Sequence, residues 1–145
     1  ISLREFFISY RKTILKKGEF IYSIKIPIHS NNYFRAYKIS KRFDDDISSV
    51  CGSFNLEIDK NHIKKVRIAF GGMSEIPKRA PEIEKKLINS EFSENSFSKA
   101  VNLINKDFSP LDDMRASSKY RLAVAKNLLL KAFYEIKNKE TIRIN

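Results

Sequence analysis

The sequence predicts an α+β domain, in which a small antiparallel sheet of three to four strands is followed by a three-helix layer packed on it. Two observations lead to this prediction. Runs of β-branched and aromatic residues fill most of the first half of the chain, and after residue 72 the period changes to the helical spacing of apolar residues, without the alternation of strands and helices that parallel folds show. The 145 residues, 42% apolar and 31% charged, are enough for one domain with its own core.

Short β-rich runs bounded by turn residues predict the strands. These runs cover residues 19–27, 33–41, 47–59 and 62–70. Pro27 ends the first run, because proline cannot continue a hydrogen-bonded ladder. Only Lys60 and Asn61 separate the last two runs, so we expect these to form a hairpin.

Apolar residues at three- and four-residue intervals predict the helices. A short helical turn is predicted after Ser2, because Ser2 and Glu5 have the spacing of a capping box. In the second half of the chain, one helix is predicted to begin near Pro81, a second to be capped by Ser96 and a third to begin near Ser117. These three helices form the predicted layer.

The charge of the chain is concentrated near its beginning. The net charge is +11, and residues 1–43 hold ten basic and two acidic side chains. Such a bias fits a nucleic-acid surface, a face that meets an acidic partner or anionic cofactor, or an ordinary solvated surface. No apolar run approaches the roughly 18 residues of a membrane-spanning helix. With one cysteine and no leader pattern, we expect a cytoplasmic protein. Because Ile1 lies directly in a patterned segment, we also expect the chain to be a piece of a longer protein.

Few residues are candidates for catalysis. His29 and His62 are far apart, and neither has a nucleophile or carboxylate at the spacing of a triad, so both are interpreted as surface or turn residues. Cys51 lies in a β-rich run beside Gly52 and is interpreted as a small buried hydrophobe. We therefore predict no catalytic residue.

Two further motifs have weak ligand-binding potential. Asp44, Asp45 and Asp46 could bind a divalent cation, but a solvated acidic turn salt-linked to Lys41 and Arg42 is favoured, and no metal site is predicted. The backbone N–H groups of Gly71 and Gly72 could approach a phosphate, although a tight exit from the strand explains the two glycines more simply. Basic and aromatic residues interleave over 33–42, which fits a flavin, single-stranded nucleic acid or an ordinary edge strand.

Four segments in order resemble a known family. They are FFISYRKTILKKGEFIYSIKIP (6–27), YFRAYKISKRFDDDIS (33–48), AFGGM (69–73) and FSPLDDMRASSKYR (108–121). Together they resemble the C-terminal part of the flavin-binding subunit or domain of xanthine dehydrogenases, which is shared with the carbon monoxide dehydrogenase flavoprotein family. The resemblance implies that residues 1–145 are such a domain, a fragment of a larger flavin subunit.

The resemblance also implies cofactors and partners. In that family the unit packs on a larger N-terminal region that holds most of the FAD, and electrons pass from a molybdenum cofactor through iron–sulfur clusters to the flavin and then to NAD. This chain lacks those regions, so we expect it to be inactive alone and to work within a purine-oxidising molybdenum hydroxylase. The alternative is a stand-alone basic nucleic-acid-binding module.

Site residues are transferred from the family by position. Lys38, in the AYK motif, matches a family lysine close to the flavin, and Ile21 matches an apolar position that contacts the cofactor. The family often has paired arginines after the lysine, whereas here Phe43 follows Arg42, which weakens any role that needs two guanidinium groups. Residues 40–48 are expected to flank the flavin edge where NAD approaches.

Overall fold

In a computed structural model, residues 1–28, 32–42 and 46–141 are described. The chain begins with a short helix, α1 (Leu3–Phe6), followed by the antiparallel strands β1 (Phe7–Ser9) and β2 (Lys12–Thr13). The hydroxyl of Ser2 accepts a hydrogen bond from the Arg4 N–H at 3.3 Å, so the helical turn predicted there is confirmed. We call residues 1–28 the N-terminal arm.

A four-stranded antiparallel sheet forms the centre of the fold. Its strands lie in sequence order: β3 (Asn32–Ile39), β4 (Val50–Asp59), β5 (His62–Gly71) and β6 (Lys78–Arg79). Lys60 and Asn61 both have positive φ, 45° and 61°, as the two central residues of a type I′ turn require. The predicted hairpin of β4 and β5 is confirmed.

Four helices follow the sheet's long strands: α2 (Pro81–Leu87), α3 (Glu94–Val101), α4 (Ile104–Asp107) and α5 (Ser118–Asn138). The predicted starts near Pro81 and Ser117 are confirmed, and the Ser117 hydroxyl accepts a hydrogen bond from the Tyr120 N–H. The cap predicted at Ser96 is wrong. Ser93, three residues earlier, caps α3 instead, because its hydroxyl accepts a hydrogen bond from the Ser96 N–H. The predicted helix breaks after Val101, so the layer has four helices.

The core lies between the helices and one face of the sheet. Alternate residues of β4 and β5 point into it, as the period of two in a strand requires. Its largest buried members include Phe54, Leu56, Ile63, Ile68 and Phe70 from the sheet and Ile83, Leu87, Phe97, Ile104, Leu129 and Phe133 from the helices. The predicted α+β class, with helices on an antiparallel sheet, is confirmed.

The strand predicted over residues 19–27 is wrong for this chain. These residues form no strand, and Phe20, Tyr22, Ile24 and Ile26 are 77%, 90%, 76% and 76% exposed. A strand needs a neighbouring strand for its backbone hydrogen bonds, and no strand of the described ranges pairs with this segment. Within the described parts of the chain, no helix is long and apolar enough to cross a bilayer.

Candidate functional site

Lys38 lies on the face of the sheet that points away from the helices. It is exposed, whereas its neighbour Tyr37 is partly buried against the core, as the alternation of side chains along β3 requires. In register, Lys38 lies opposite Cys51 of β4, which in turn lies opposite Gly71 of β5. The next row on the same face runs from Ala36 through Ser53 to Ala69.

These two rows form a flat area of small side chains beside the lysine. We call Ala36, Cys51, Ser53, Ala69 and Gly71 the small-residue floor. Because none of these side chains extends beyond two heavy atoms, a planar group can approach the sheet closely here. Among the residues that the structure describes, no acidic group pairs with the Lys38 ammonium. Lys38 is an exposed residue on this face of the sheet.

Cys51 belongs to this floor and not to the core. The interpretation of Cys51 as a buried hydrophobe is therefore wrong: the residue is partly buried, and its position in β4 places it on the outward face. The reason is the strand period, because its neighbours Val50 and Gly52 take the inward positions.

A buried carboxylate holds β3 against helix α5. Glu135, whose side chain is 2% exposed, accepts a hydrogen bond from the Tyr37 hydroxyl at 2.8 Å and another from the Arg35 Nε at 3.1 Å. Burial, and then the bond to Glu135, raise the pKa of Tyr37 above its ordinary value. These bonds keep the strand in place one residue before Lys38. Sequence reasoning missed Glu135, although a charged residue on the apolar stripe of a helix is a usable signal.

A buried arginine holds the end of the sheet next to the floor. The Arg121 guanidinium, 4% exposed, donates to the carbonyl oxygens of Ser49 and Gly72 and to the Asp113 carboxylate. Gly72 has a φ of +77°, and a Cβ there would lie 2.3 Å from the Ser49 oxygen. The interpretation of this glycine pair as a tight strand exit is confirmed. Sequence reasoning also missed Arg121, which lies on the buried side of α5.

The loop after β3 is closed by Asp46. Its carboxylate accepts the backbone N–H groups of Lys41 and Arg42, both at 3.1 Å, and lies 3.8 Å from the Arg42 guanidinium. The N–H of Arg42, ahead of the other contacts, lowers the pKa of Asp46. The Lys41 ammonium donates to the Met114 carbonyl at 2.7 Å. The predicted salt link of the acidic turn is therefore confirmed between Asp46 and Arg42, whereas Lys41 contacts Asp46 only through its backbone N–H.

The remaining candidates lie elsewhere. Ile21 is in the N-terminal arm and is 53% exposed, and no hydrogen bond among the described residues joins the arm to the sheet of Lys38. The assignment of Ile21 and Lys38 to one cofactor site stays a prediction. His62 is exposed at a turn, with its Nδ1 3.0 Å from the Lys60 carbonyl, as a surface residue should be. The predictions for His29, Phe43, Asp44 and Asp45 fall outside the described residues.

Comparison with known sequences finds relatives along most of the chain. The chain is 30% identical over 132 residues to the glyceraldehyde dehydrogenase medium chain of Sulfolobus acidocaldarius, covering 91% of this chain and 47% of the relative. It is also 30% identical over 141 residues to xanthine dehydrogenase of Blastobotrys adeninivorans, covering 92% of this chain and 10% of that protein. The chain thus spans about half of one relative and a small part of the other.

Comparison with solved structures finds the same fold. A carbon monoxide dehydrogenase from Hydrogenophaga pseudoflava matches with a TM-score of 0.81 and 19% identity, over 90% of this chain and 47% of that one. Quinoline 2-oxidoreductase from Pseudomonas putida 86 matches with a TM-score of 0.81 and 21% identity, over 95% and 48%. The sequence model of the CO dehydrogenase flavoprotein C-terminal domain matches residues 35–136, from within β3 to within α5 and including the small-residue floor, and the chain belongs to that family.

Proposed function

We propose that this chain is the C-terminal domain of the FAD subunit of a xanthine dehydrogenase-like molybdenum hydroxylase, and that it completes the flavin site for electron transfer to NAD. The observation that carries the proposal is Lys38 beside the small-residue floor, on a sheet face that no described helix covers, in a chain that belongs to a flavoprotein family. The FAD would supply the one- and two-electron chemistry that side chains lack.

The residues present fit a flavin in shape and charge. A flat floor of small side chains suits a planar ring system, and a fixed ammonium beside it favours electron density on the ligand. The bonds from Glu135 to Arg35 and Tyr37 keep β3, and therefore Lys38, in one position, so the cation needs no rearrangement when a ligand arrives. Ile21 would add apolar cover once the N-terminal arm is docked.

The rest of the proposal concerns the complete enzyme. An N-terminal FAD-binding region would hold most of the cofactor, and iron–sulfur and molybdenum domains or subunits would deliver the electrons. NAD would approach near residues 40–48. Support comes from the relatives, which include a medium chain and xanthine dehydrogenases that extend well beyond this chain. A cytoplasmic location belongs to the same proposal.

The experiment is a Lys38→Ala substitution in the assembled enzyme. Loss of one charge-assisted interaction, about 1.5–3 kcal/mol, should lower flavin retention or the rate of NAD reduction by roughly tenfold to a hundredfold. The melting temperature should hardly change, because Lys38 is exposed. Lys65→Ala is the matched control, since Lys65 also projects from the sheet but pairs with Glu57. Unchanged flavin content and turnover in Lys38→Ala would remove Lys38 from the site.

The isolated chain provides a second test. It should purify without colour and without xanthine:NAD activity, so a stoichiometric flavin absorbance would contradict the proposed division of the site. Its binding to random DNA at physiological salt should be weak, with a Kd of about 10⁻⁴ to 10⁻⁶ M, which is typical of non-specific binding by a basic protein. A sub-micromolar, selective complex with nucleic acid would support the basic binding module instead.

A further inference from the structure

We propose that a cleft beyond the end of β3 binds an organic diphosphate through the guanidinium groups of Arg42 and Arg115. The inference rests on the proposed function, and it adds a ligand subsite together with the residues that form it. NAD and FAD both carry a diphosphate, so either could be the source of the group. The two sources predict different effects in the assembled enzyme.

Two segments that are distant in sequence form the cleft. Its described lining comes from the loop after β3 and from the loop before α5: Lys41, Arg42, Asp46 and Ile47 on one side, and Met114 and Arg115 on the other. The volume of the cleft is about 440 Å³. This size lies within the range of small-ligand sites in proteins.

The charge of the cleft favours an anion. Three of its described lining residues are cations and one is an acid. The acid, Asp46, already accepts the backbone N–H groups of Lys41 and Arg42. The described lining therefore has an excess of positive charge, which raises the local concentration of an anionic ligand.

The two guanidinium groups have only loose partners. Arg42 lies 3.8 Å from the Asp46 carboxylate, and Arg115 lies 3.6 Å from the Asp113 carboxylate. Both distances are too long for a hydrogen bond. The side chains of Arg42 and Arg115 are 74% and 35% exposed, so a ligand can reach them from solvent. Among the described contacts, each guanidinium thus keeps N–H donors for a phosphate.

The pairing of two arginines suits a diphosphate. In the sequence, Arg42 is followed by Phe43, so its own segment offers one guanidinium at this point. The fold supplies a second, because Arg115 lines the same cleft from a distant part of the chain. A planar guanidinium can donate two parallel hydrogen bonds to one phosphate group. Each arginine can therefore hold one of the two phosphates.

The two sides of the cleft are tied together before any ligand binds. The Lys41 ammonium donates to the Met114 carbonyl at 2.7 Å. Asp113 accepts the backbone N–H of Arg115 at 2.8 Å and also a bond from the buried Arg121, which holds the sheet end beside the small-residue floor. Because the walls are fixed in this way, less ordering is needed when a ligand arrives.

Inorganic pyrophosphate is the probe for the site itself, and titration calorimetry measures its binding to the 145-residue chain. Arg42→Met and Arg115→Met should each weaken binding by roughly tenfold or more, because each removes charge-assisted hydrogen bonds. Arg67→Met is the matched control, since it removes the same charge from an exposed position on β5 that does not line the cleft. Equal weakening in all three variants, or no binding by the unaltered chain, would overturn the proposal.

The assembled enzyme separates the two sources of the diphosphate. If NAD supplies it, Arg42→Met and Arg115→Met should raise the KM for NAD by about tenfold while the flavin content stays the same. If FAD supplies it, the flavin content should fall and the KM for NAD should not change. An unchanged KM together with an unchanged flavin content in both variants would overturn the proposal.

The proposed function can fail independently of this site. Selective pyrophosphate binding, together with unchanged flavin content and turnover in Lys38→Ala, would retain the diphosphate site and reject the role of Lys38. A large effect of Lys38→Ala without selective pyrophosphate binding would retain the flavin site and reject the diphosphate site.

Discussion

The Arg121 guanidinium donates a hydrogen bond to the Gly72 carbonyl oxygen at 2.8 Å, across 49 positions of the sequence. The same nitrogen donates to the Ser49 carbonyl, so one side chain of α5 connects the residue before β4 with the turn after β5. Gly71, the neighbour of Gly72, ends one row of the small-residue floor. The buried arginine therefore stabilises the sheet end on which the proposed flavin site depends.

An Arg121→Met variant should lose about 2–3 kcal/mol of unfolding free energy, because the carbonyl of buried Ser49 would be left without its donor. Urea denaturation measures the loss. Arg115→Met is the control, since Arg115 is more exposed and reaches Asp113 only at 3.6 Å. A loss no larger than that of the control would show that the bonds of Arg121 contribute little.

Gly72→Ala should destabilise the fold by about 2–4 kcal/mol, because a left-handed backbone conformation and a close contact with the Ser49 oxygen both disfavour a Cβ. Gly71→Ala should change stability by less than about 1 kcal/mol, since its nearest described neighbour would be the Cys51 Cβ at an ordinary 3.6 Å. Thermal unfolding of both variants checks the difference. Similar melting temperatures for the two would refute the steric explanation.

Glu135→Gln should destabilise the fold by about 1–3 kcal/mol, because Arg35 would lose the charge of its buried partner. The effect is limited because the Arg35 side chain is 31% exposed and therefore partly solvated. Glu57→Gln is the matched control at a surface pair, with an expected effect below about 1 kcal/mol. Denaturant titration gives both values. If the control is the more destabilising variant, the buried network does not anchor β3.

Acid should weaken the fold partly through Asp113. Its carboxylate accepts the N–H groups of Arg115 and Ala116 and a bond from Arg121, and these contacts, led by Arg115, lower its pKa. A carboxyl with a lowered folded pKa stabilises the fold above its unfolded pKa, about 3.9, and loses that contribution as pH falls through the folded value. Asp113→Asn should therefore show a shallower fall of melting temperature below about pH 4. An unchanged acid limb would contradict this assignment.

Local patterns predicted those elements that local interactions stabilise. The β4–β5 hairpin and α5 were predicted because a two-residue turn and a capping serine act within a few positions. The cap at Ser93 was missed because Ser93 and Ser96 are both plausible caps, and the choice depends on where Phe97 packs. Its ring lies 4.8 Å from that of Phe133, which is 36 positions away in sequence. The run at 19–27 has a strand pattern, but a strand also needs a partner.

The sequence by itself determined that Tyr37 and Lys38 point to opposite faces, because alternation is a property of one extended strand. It also determined the family, through motifs that carry their own order and spacing. Only the tertiary structure decided that Lys38 stands beside Cys51 and Gly71, and that Arg121 and Glu135 support this end of the sheet. The physical reason is that register and buried polar contacts join residues from distant parts of the chain, and no pattern within a single segment encodes such a pairing.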